Sequence, residues 1–261
     1  MIKRIFTIIL ALALTTSLLA CGLFSDTPEA QPDTSDRQED TSDATEETTS
    51  ETDQERTPAP ESEIPYISID FFEYVTHSET DGVVILNYTG TDVRVRIPNE
   101  IDGMPVTVIG SRAFYDSGVM SVYIPDTVRI IGPSAFANTN IESVIIPGSV
   151  HTIREYAFYN CINLVSVTIE YGVEVIGAFA FARCVNLTSI NIPNSVTTIW
   201  DRAFDRTGIT NITIPDSVDV SWMSQARNLS TPFGHFSGDH NIVINFRNNT
   251  FTVEEFYNYF R

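Results

Sequence analysis

The sequence predicts a repeat solenoid: short parallel strands stacked in one curved sheet, irregular or short helical turns on the opposite side, and a disordered N-terminal tether. Three observations carry that prediction. The dipeptide Ala-Phe recurs at Ala113-Phe114, Ala135-Phe136, Ala157-Phe158, Ala180-Phe181 and Ala203-Phe204, at spacings of 22, 22, 23 and 23 residues. Ile-Pro recurs in phase at Ile97-Pro98, Ile124-Pro125, Ile146-Pro147, Ile192-Pro193 and Ile214-Pro215, with Ile169-Glu170 holding the same place between the third and fourth. Residues 22–63 share none of this periodicity and are rich in Thr, Ser, Glu, Asp and Pro.

The chain opens with the short basic stretch Met1 to Arg4, followed by an apolar run from Ile5 to Ala20 that Thr7, Thr15, Thr16 and Ser17 interrupt. That run is too short and broken for a spanning helix and has the order of a secretory signal. It ends in Leu18-Leu19-Ala20-Cys21, which resembles the bacterial lipobox, whose cysteine is acylated and becomes the mature N-terminus. Residues 1–21 are therefore expected to be a lipoprotein signal with Cys21 as the lipidation site, the alternative being a cysteine that merely follows an ordinary signal. Two or three acyl chains on one residue give lasting attachment, which places the protein on the cell surface or the outer face of a bacterial membrane.

Residues 22–63 hold 14 acidic side chains against Arg37 and Arg56, so −12 of the total charge of −19 sits there; residues 64–261 carry −9. Almost without large apolar side chains, this segment cannot offset the entropy of ordering and is expected to be a solvated linker. As a flexible coil it would span about 36 Å. A chain with a pI near 4.4 is repelled by phosphate backbones, which removes nucleic acid from the expected partners. The 43% hydrophobic content, in turn, excludes disorder throughout. Beyond Lys3 every basic side chain is an arginine, for which the sequence supplies no reason.

Residues 64–96 are expected to form a capping hairpin, with Asp81-Gly82 between apolar runs as its turn. An open stack exposes a strand edge, and a cap covers it. The repeats occupy residues 97–219. Four more columns run in phase with Ala-Phe and Ile-Pro: Val106, Val128, Val150, Val173, Val196; Ile109, Ile131, Ile153, Ile176, Ile199; Val119, Ile141, Leu164, Leu187, Ile209; and Val122, Val144, Val167, Ile190, Ile212. Ile190 and Ile192 alternate with Asn191, the pattern of a strand with one face buried. Pro193 cannot donate a ladder hydrogen bond, so the strand stops and the chain turns. Ala203-Phe204 then sets a small residue beside a large ring in an inward-packed turn. No single unit buries its apolar face; stacked neighbours share one core.

The pattern Ile-Pro-x-Ser-Val-x-x-Ile-Gly-x-x-Ala-Phe-x-x-Cys-x-x-Leu-x-Ser-Val-x-Ile resembles the BspA-type leucine-rich repeat of bacterial surface proteins. The resemblance runs from Phe72 to about Ile214. It includes the family's first coil in Asp81-Gly82-Val83-Val84-Ile85, Tyr88-Thr89-Gly90 and the stretch from Ile101 to Gly110. It implies a leucine-rich-repeat solenoid of about six coils and a role in host-protein binding or cell aggregation. Residues 220–261 depart from the pattern, with Ser221 and Trp222 in place of Ile-Gly, and are expected to be an atypical last coil and C-terminal cap. Ile242 to Phe246 resembles one more strand and Phe251 to Phe260 a closing helix.

Little in the sequence suggests chemistry. Cys161 and Cys184 share one column with Ser117, Thr139 and Thr207; they read as small buried thiols, with a disulfide or a nucleophile as alternatives. His235 and His240 sit in a Gly-rich loop without the third ligand a metal site requires, and His77 and His151 stand apart. Neither a nucleophile elbow nor a phosphate-cradling loop occurs, so no enzyme, cofactor or metal is expected. The strand face offers more. Met120, Tyr123, Ile145 and Val165 bring apolar side chains to its N-terminal half, and Tyr171 follows the third full strand, whereas the C-terminal half is hydroxyl-rich. An exposed apolar group with an aromatic centre suits a protein contact, against the alternative that a loop or neighbour covers it. The expectation is a non-catalytic, membrane-anchored surface lipoprotein that binds a host, other-cell or envelope protein through this face. The alternative is a structural or assembly component of the cell envelope docking to a neighbouring envelope protein.

Overall fold

The computed structural model describes residues 67–77, 82–220 and 242–259. The signal, Cys21 and the acidic linker lie outside these residues, as do His235 and His240. A 3-10 turn at Ile69–Phe71 leads into β1 (Phe72–His77) and β2 (Gly82–Tyr88). There follow β3 (Arg94–Arg96), β4 (Glu100–Ile101), β5 (Met104–Ile109), β6 (Ser121–Tyr123), β7 (Ile130–Ile131), β8 (Ser143–Ile146), β9 (Thr152–Ile153), β10 (Ser166–Ile169), β11 (Val175–Ile176) and β12 (Thr198–Ile199). β13 (Asn211–Thr213), β14 (Val243–Phe246), β15 (Asn249–Thr252) and α1 (Val253–Tyr259) complete the described elements.

The repeat solenoid stands, with a second ladder in addition to the single expected sheet. The front ladder runs β3-β6-β8-β10, all parallel, and Asn191 extends it by a bridge to Thr168. The back ladder runs β1-β2-β5-β7-β9-β11-β12, parallel from β2 onward. Its strands come from the Val-x-x-Ile stretch of each repeat and, from β7 on, are two residues long, too short for an alternation to show in the sequence.

The third side of each coil is irregular rather than helical. In every coil the residue before Ala-Phe is left-handed: Arg112, Ser134, Tyr156, Phe179 and Arg202 have φ between +53° and +59°. A second left-handed residue follows at Asp116, Asn138, Asn160, Arg183 and Arg206. The reversals aim alternate amides along the stack. Arg112, Phe114 and Asp116 donate to the carbonyls of Pro133, Ala135 and Ala137, and the pattern repeats at Ser134, Phe136, Asn138 and at Tyr156, Phe158, Asn160. Where the front ladder runs, from β3 to Asn191, all three sides of a coil are therefore bonded to the next, which offsets the roughly 1–2 kcal/mol that a non-glycine residue costs in this region.

Inside, the Phe rings form a column. Centroids lie 4.9 Å apart from Phe114 to Phe136, 5.2 Å to Phe158, 5.3 Å to Phe181 and 5.9 Å to Phe204, with planes within 18° of parallel. Tyr88 continues the stack into the cap at 5.2 Å from Phe114, and Phe72 tilts onto Tyr88 at 5.5 Å. Five coils carry this column. A sixth begins at Ile214, where Asp219 donates to Thr197 O, and runs into residues 221–241, outside those described.

The ends are built differently. β1 pairs antiparallel with β2, His77 opposite Gly82, and the expected turn at Asp81 falls outside the described residues. A second hairpin, β4 against β5, turns through Asp102 and Gly103 at φ +53° and +77°, the two left-handed residues of a tight primed turn. At the C-terminus β14 pairs parallel with β13 and antiparallel with β15. Phe251 belongs to β15, so the closing helix begins later than expected, at Val253. Thr252 Oγ1 accepts the Glu255 amide at 3.2 Å and the Glu255 carboxylate accepts the Thr252 amide at 2.8 Å, a reciprocal capping box.

Candidate functional site

The front ladder places three columns of side chains on one outward face. Val144, Ile146, Val167 and Ile169 point inward, so their neighbours along each strand point out. In one column Arg94 pairs with Ser121, Ser121 with Ser143, and Ser143 with Ser166. In the next Arg96 pairs with Tyr123 and Ile145 with Thr168, which bridges to Asn191. The third is tied by backbone bonds from Met120 N to Val93 O, Glu142 N to Met120 O and Val165 N to Glu142 O.

Four of the five residues expected to form a binding surface, Met120, Tyr123, Ile145 and Val165, lie in adjacent coils of this face. Met120 and Ile145 are each 40% exposed, while Tyr123 and Val165 are half-buried. Tyr171 stands apart, at the corner beyond β10, and is 77% exposed. There Glu170 replaces the corner proline, and its carboxylate accepts the Gly148 amide at 3.0 Å. Gly172 has φ +126°; a Cβ there would strike Gly148 O, and one on Gly148 would strike Tyr171 O, so neither position has room for a side chain.

Sequence reasoning missed the first strand of the face. Val93 is 48% exposed, and Arg94 and Arg96 stand on β3 beside the apolar group. Their place was legible: Arg94-Val95-Arg96-Ile97-Pro98 is the Ser121-Val122-Tyr123-Ile124-Pro125 pattern one coil earlier. Arg96 is only 8% exposed, with its guanidinium 4.7 Å from the Tyr123 ring centroid. Glu142 is the one acidic side chain in the three columns from Val93 to Asn191.

The arginine bias now has a physical basis. Arg96, Arg112, Arg183, Arg202 and Arg247 each lie over an aromatic ring, at 4.7 to 5.7 Å from its centroid. Arg129 reaches the carbonyls of Asp126 and Ser149 from one nitrogen. A planar, weakly hydrated guanidinium serves both uses better than an ammonium.

Cys161 and Cys184 are buried free thiols. Cys161 Sγ donates to Phe136 O and Cys184 Sγ to Phe158 O, each at 3.1 Å, as Thr139 and Thr207 donate to Phe136 O and Phe204 O at 2.8 and 3.0 Å. Burial, with Cys161 beside it, pushes the Cys184 thiol well above its ordinary range. Four residues of the column are thus small donors that satisfy turn carbonyls, while the buried Ser117 Oγ finds no partner among the described residues. Among the described residues no group of His, Cys, Asp and Glu is placed to hold a metal ion, and no helix is long and apolar enough to cross a membrane.

Residues 107–223 match the BspA type leucine rich repeat region, in 6 copies. No curated protein matches the chain. Among solved structures, a leucine-rich repeat protein of T. pallidum is 28% identical, with a TM-score of 0.43 over 59% of this chain and 63% of that one. A leucine-rich cell surface protein of Faecalibacterium prausnitzii is 29% identical, with a TM-score of 0.44 over 60% and 50%. The chain thus spans less than two thirds of the length of either. With the in-phase columns and the Phe stack, the match places the repeat region of this chain, residues 107–223, among the BspA-type leucine-rich repeats.

Proposed function

We propose that this protein is a non-catalytic recognition module, anchored to a bacterial membrane through acylated Cys21 and holding another protein on the front face of its solenoid. The observation that carries the reading is the group of Met120 and Ile145, each 40% exposed, beside half-buried Tyr123 on a face whose strands are already bonded on both sides. Such a face offers rigid apolar anchors with little left to order on binding. The acidic linker gives the solenoid reach above the membrane. Leucine-rich repeats are an interaction scaffold, and a cell-surface protein is among the structural relatives.

The test is to express the full chain with Tyr123→Asp and Ile145→Asp together, confirm an unchanged far-UV circular dichroism spectrum, and measure adhesion and partner capture on intact cells. Binding is expected to be lost; unchanged binding with an intact fold removes the face as the site. Cross-linking on the same cells identifies the partner's origin. A neighbouring envelope protein would favour an assembly role over adhesion.

A further inference from the structure

We infer that a second site, at the corner where the C-terminal coils leave the front strands, binds a neutral saccharide. Tyr171 offers its ring to the sugar, and Asn194, Asp216 and Asn248 hydrogen-bond the hydroxyls. Cross-coil contacts bring these four into one row. Thr168 bridges to Asn191 and the Gly172 amide donates to Ser195 Oγ at 2.9 Å, so Tyr171 stands beside Asn194. Ser217 Oγ donates to Val196 O at 2.7 Å, which sets Asp216 beside Asn194. The pairing of Thr213 with Asn245 then sets Asn248 beside Asp216. Each neighbour is one strand spacing from the next, so the row runs for about 14 Å.

The chemistry of the row selects the ligand. From Asn194 to Asn248 it borders a hollow of about 420 Å³, within the roughly 300–1,000 Å³ of small-ligand sites. The apolar residues of the wall, Ile214, Pro215 and Phe246, are buried, so the groups presented to a ligand are polar. Among the described residues, the side chains of Asn194, Thr213 and Asn248 hydrogen-bond to no other residue. Amides and hydroxyls both donate and accept, which is what sugar hydroxyls require of a partner. Asp216 Oδ1 accepts the Arg247 amide at 3.3 Å, which orients the carboxylate and leaves Oδ2 to a ligand. The Arg247 guanidinium, held over the Phe246 ring, balances the Asp216 charge, so the hollow suits a ligand without net charge. Tyr171, at 77%, is the most exposed large apolar or aromatic side chain described, and it stacks on no other described ring. Such an amphipathic ring matches the C–H face of a pyranose, beside amides placed for its hydroxyl rim. The site stands independently of Met120 and Ile145, which lie in the other half of the front face.

The full chain is applied to an array of neutral hexose and N-acetylhexosamine oligosaccharides beside sialylated and sulfated ones. The glycan held best is titrated by calorimetry against the native chain, Tyr171→Ala, Asp216→Asn and Ile145→Asp, at low and physiological salt. Tyr171 and Asp216 are exposed, and asparagine at 216 keeps an acceptor for the Arg247 amide, so both variants are expected to fold. Expected is a neutral glycan whose affinity falls about ten-fold or more in Tyr171→Ala and in Asp216→Asn. Ile145→Asp and the change of salt should leave it unaltered. The inference is overturned if no glycan is held, if only sialylated or sulfated glycans are held, or if Tyr171→Ala or Asp216→Asn binds as the native chain does. Loss in Ile145→Asp would move the glycan to the apolar half of the face, overturning the corner site and leaving the docking face standing.

Discussion

Phe136, Phe158 and Phe181 repeat unchanged inside successive coils, while the front-face residues of those coils and their neighbours run Tyr123, Ile145, Thr168 and Asn191. The two regions belong to the same backbone and obey different constraints. Each ring packs against the ring above and the ring below, so a change in one coil is felt in two others. A front-face side chain has solvent on one side and can change from apolar to amide without disturbing the stack. The difference teaches that the interior specifies the coil and leaves the face free to be chosen for a partner. The apolar, arginine-bearing N-terminal half and the hydroxyl-rich C-terminal half share one interior.

The sharpest way to break this comparison is to truncate one residue from each region. Phe158→Ala is expected to cost about 3–5 kcal/mol in urea unfolding, because its ring stacks on both sides and cannot be replaced by collapse. Ile145→Ala, half a coil away, is expected to change stability by about 0.5 kcal/mol or less. Similar losses at the two sites would mean that the face contributes to the fold. A smaller effect separates two glycines. Gly172→Ala is expected to cost about 1–3 kcal/mol, since its φ is +126° and Gly148 O blocks a Cβ. At Gly118, where a Cβ meets nothing within 4 Å, alanine is expected to be neutral within about 0.5 kcal/mol.

One column holds a finer contrast. Ser195 Oγ donates to Val173 O at 2.8 Å and accepts the Gly172 amide at 2.9 Å. One coil beyond Gly172, the buried Ser149 Oγ finds no partner among the described residues. Ser195→Ala should lose about 1–2 kcal/mol in thermal unfolding, and Ser149→Ala should be neutral or stabilising. An equal loss at both would show that Ser149 is bonded after all.

The smallest expected effect is at the C-terminal cap. The Thr252 amide, then its hydroxyl, holds the Glu255 carboxyl below the usual carboxylate range. A lowered folded value means that the box is fully formed above the ordinary carboxylate pKa and is lost as pH falls through the depressed one. Helix amides of α1 should therefore lose hydrogen-exchange protection in acid, and Glu255→Gln should remove that acid dependence. A Glu255→Gln chain that keeps it would place the titrating group elsewhere. Because Glu255 is fully exposed, the global unfolding midpoint should barely move.

Most of the fold was legible wherever a residue recurred. Ala-Phe, Ile-Pro and the Val and Ile columns located the coils, the strand stop and the buried faces, because every coil repeats the same burial problem. The back ladder was not legible, since two extended residues such as Thr152 and Ile153 leave no alternation to read. Nor were the left-handed positions: Arg112, Tyr156 and Phe179 are poor candidates for positive φ, and only the bonds to the next coil make the conformation worth its cost. Of the candidate site, Tyr123 and Ile145 could be placed outward from strand alternation, and Met120 and Val165 from the repeat column that follows buried Val119 and Leu164. Arg94 and Arg96 were overlooked although Ile97-Pro98 marked their strand. The capping box at Thr252 and Glu255 and the turn at Asp102-Gly103 were written in plain local chemistry and were also overlooked.

What the amino-acid order determined by itself was the period, the inward set and the stacking of one coil on the next, because burial and turn chemistry act locally and identically in every repeat. What only the tertiary structure decided was which side chains become neighbours across coils. Arg96 meets Tyr123, and Glu170 meets the Gly148 amide, through a register set by backbone ladders. Those pairings are more than twenty residues apart in the chain and one strand spacing apart in space, a proximity that no local pattern encodes.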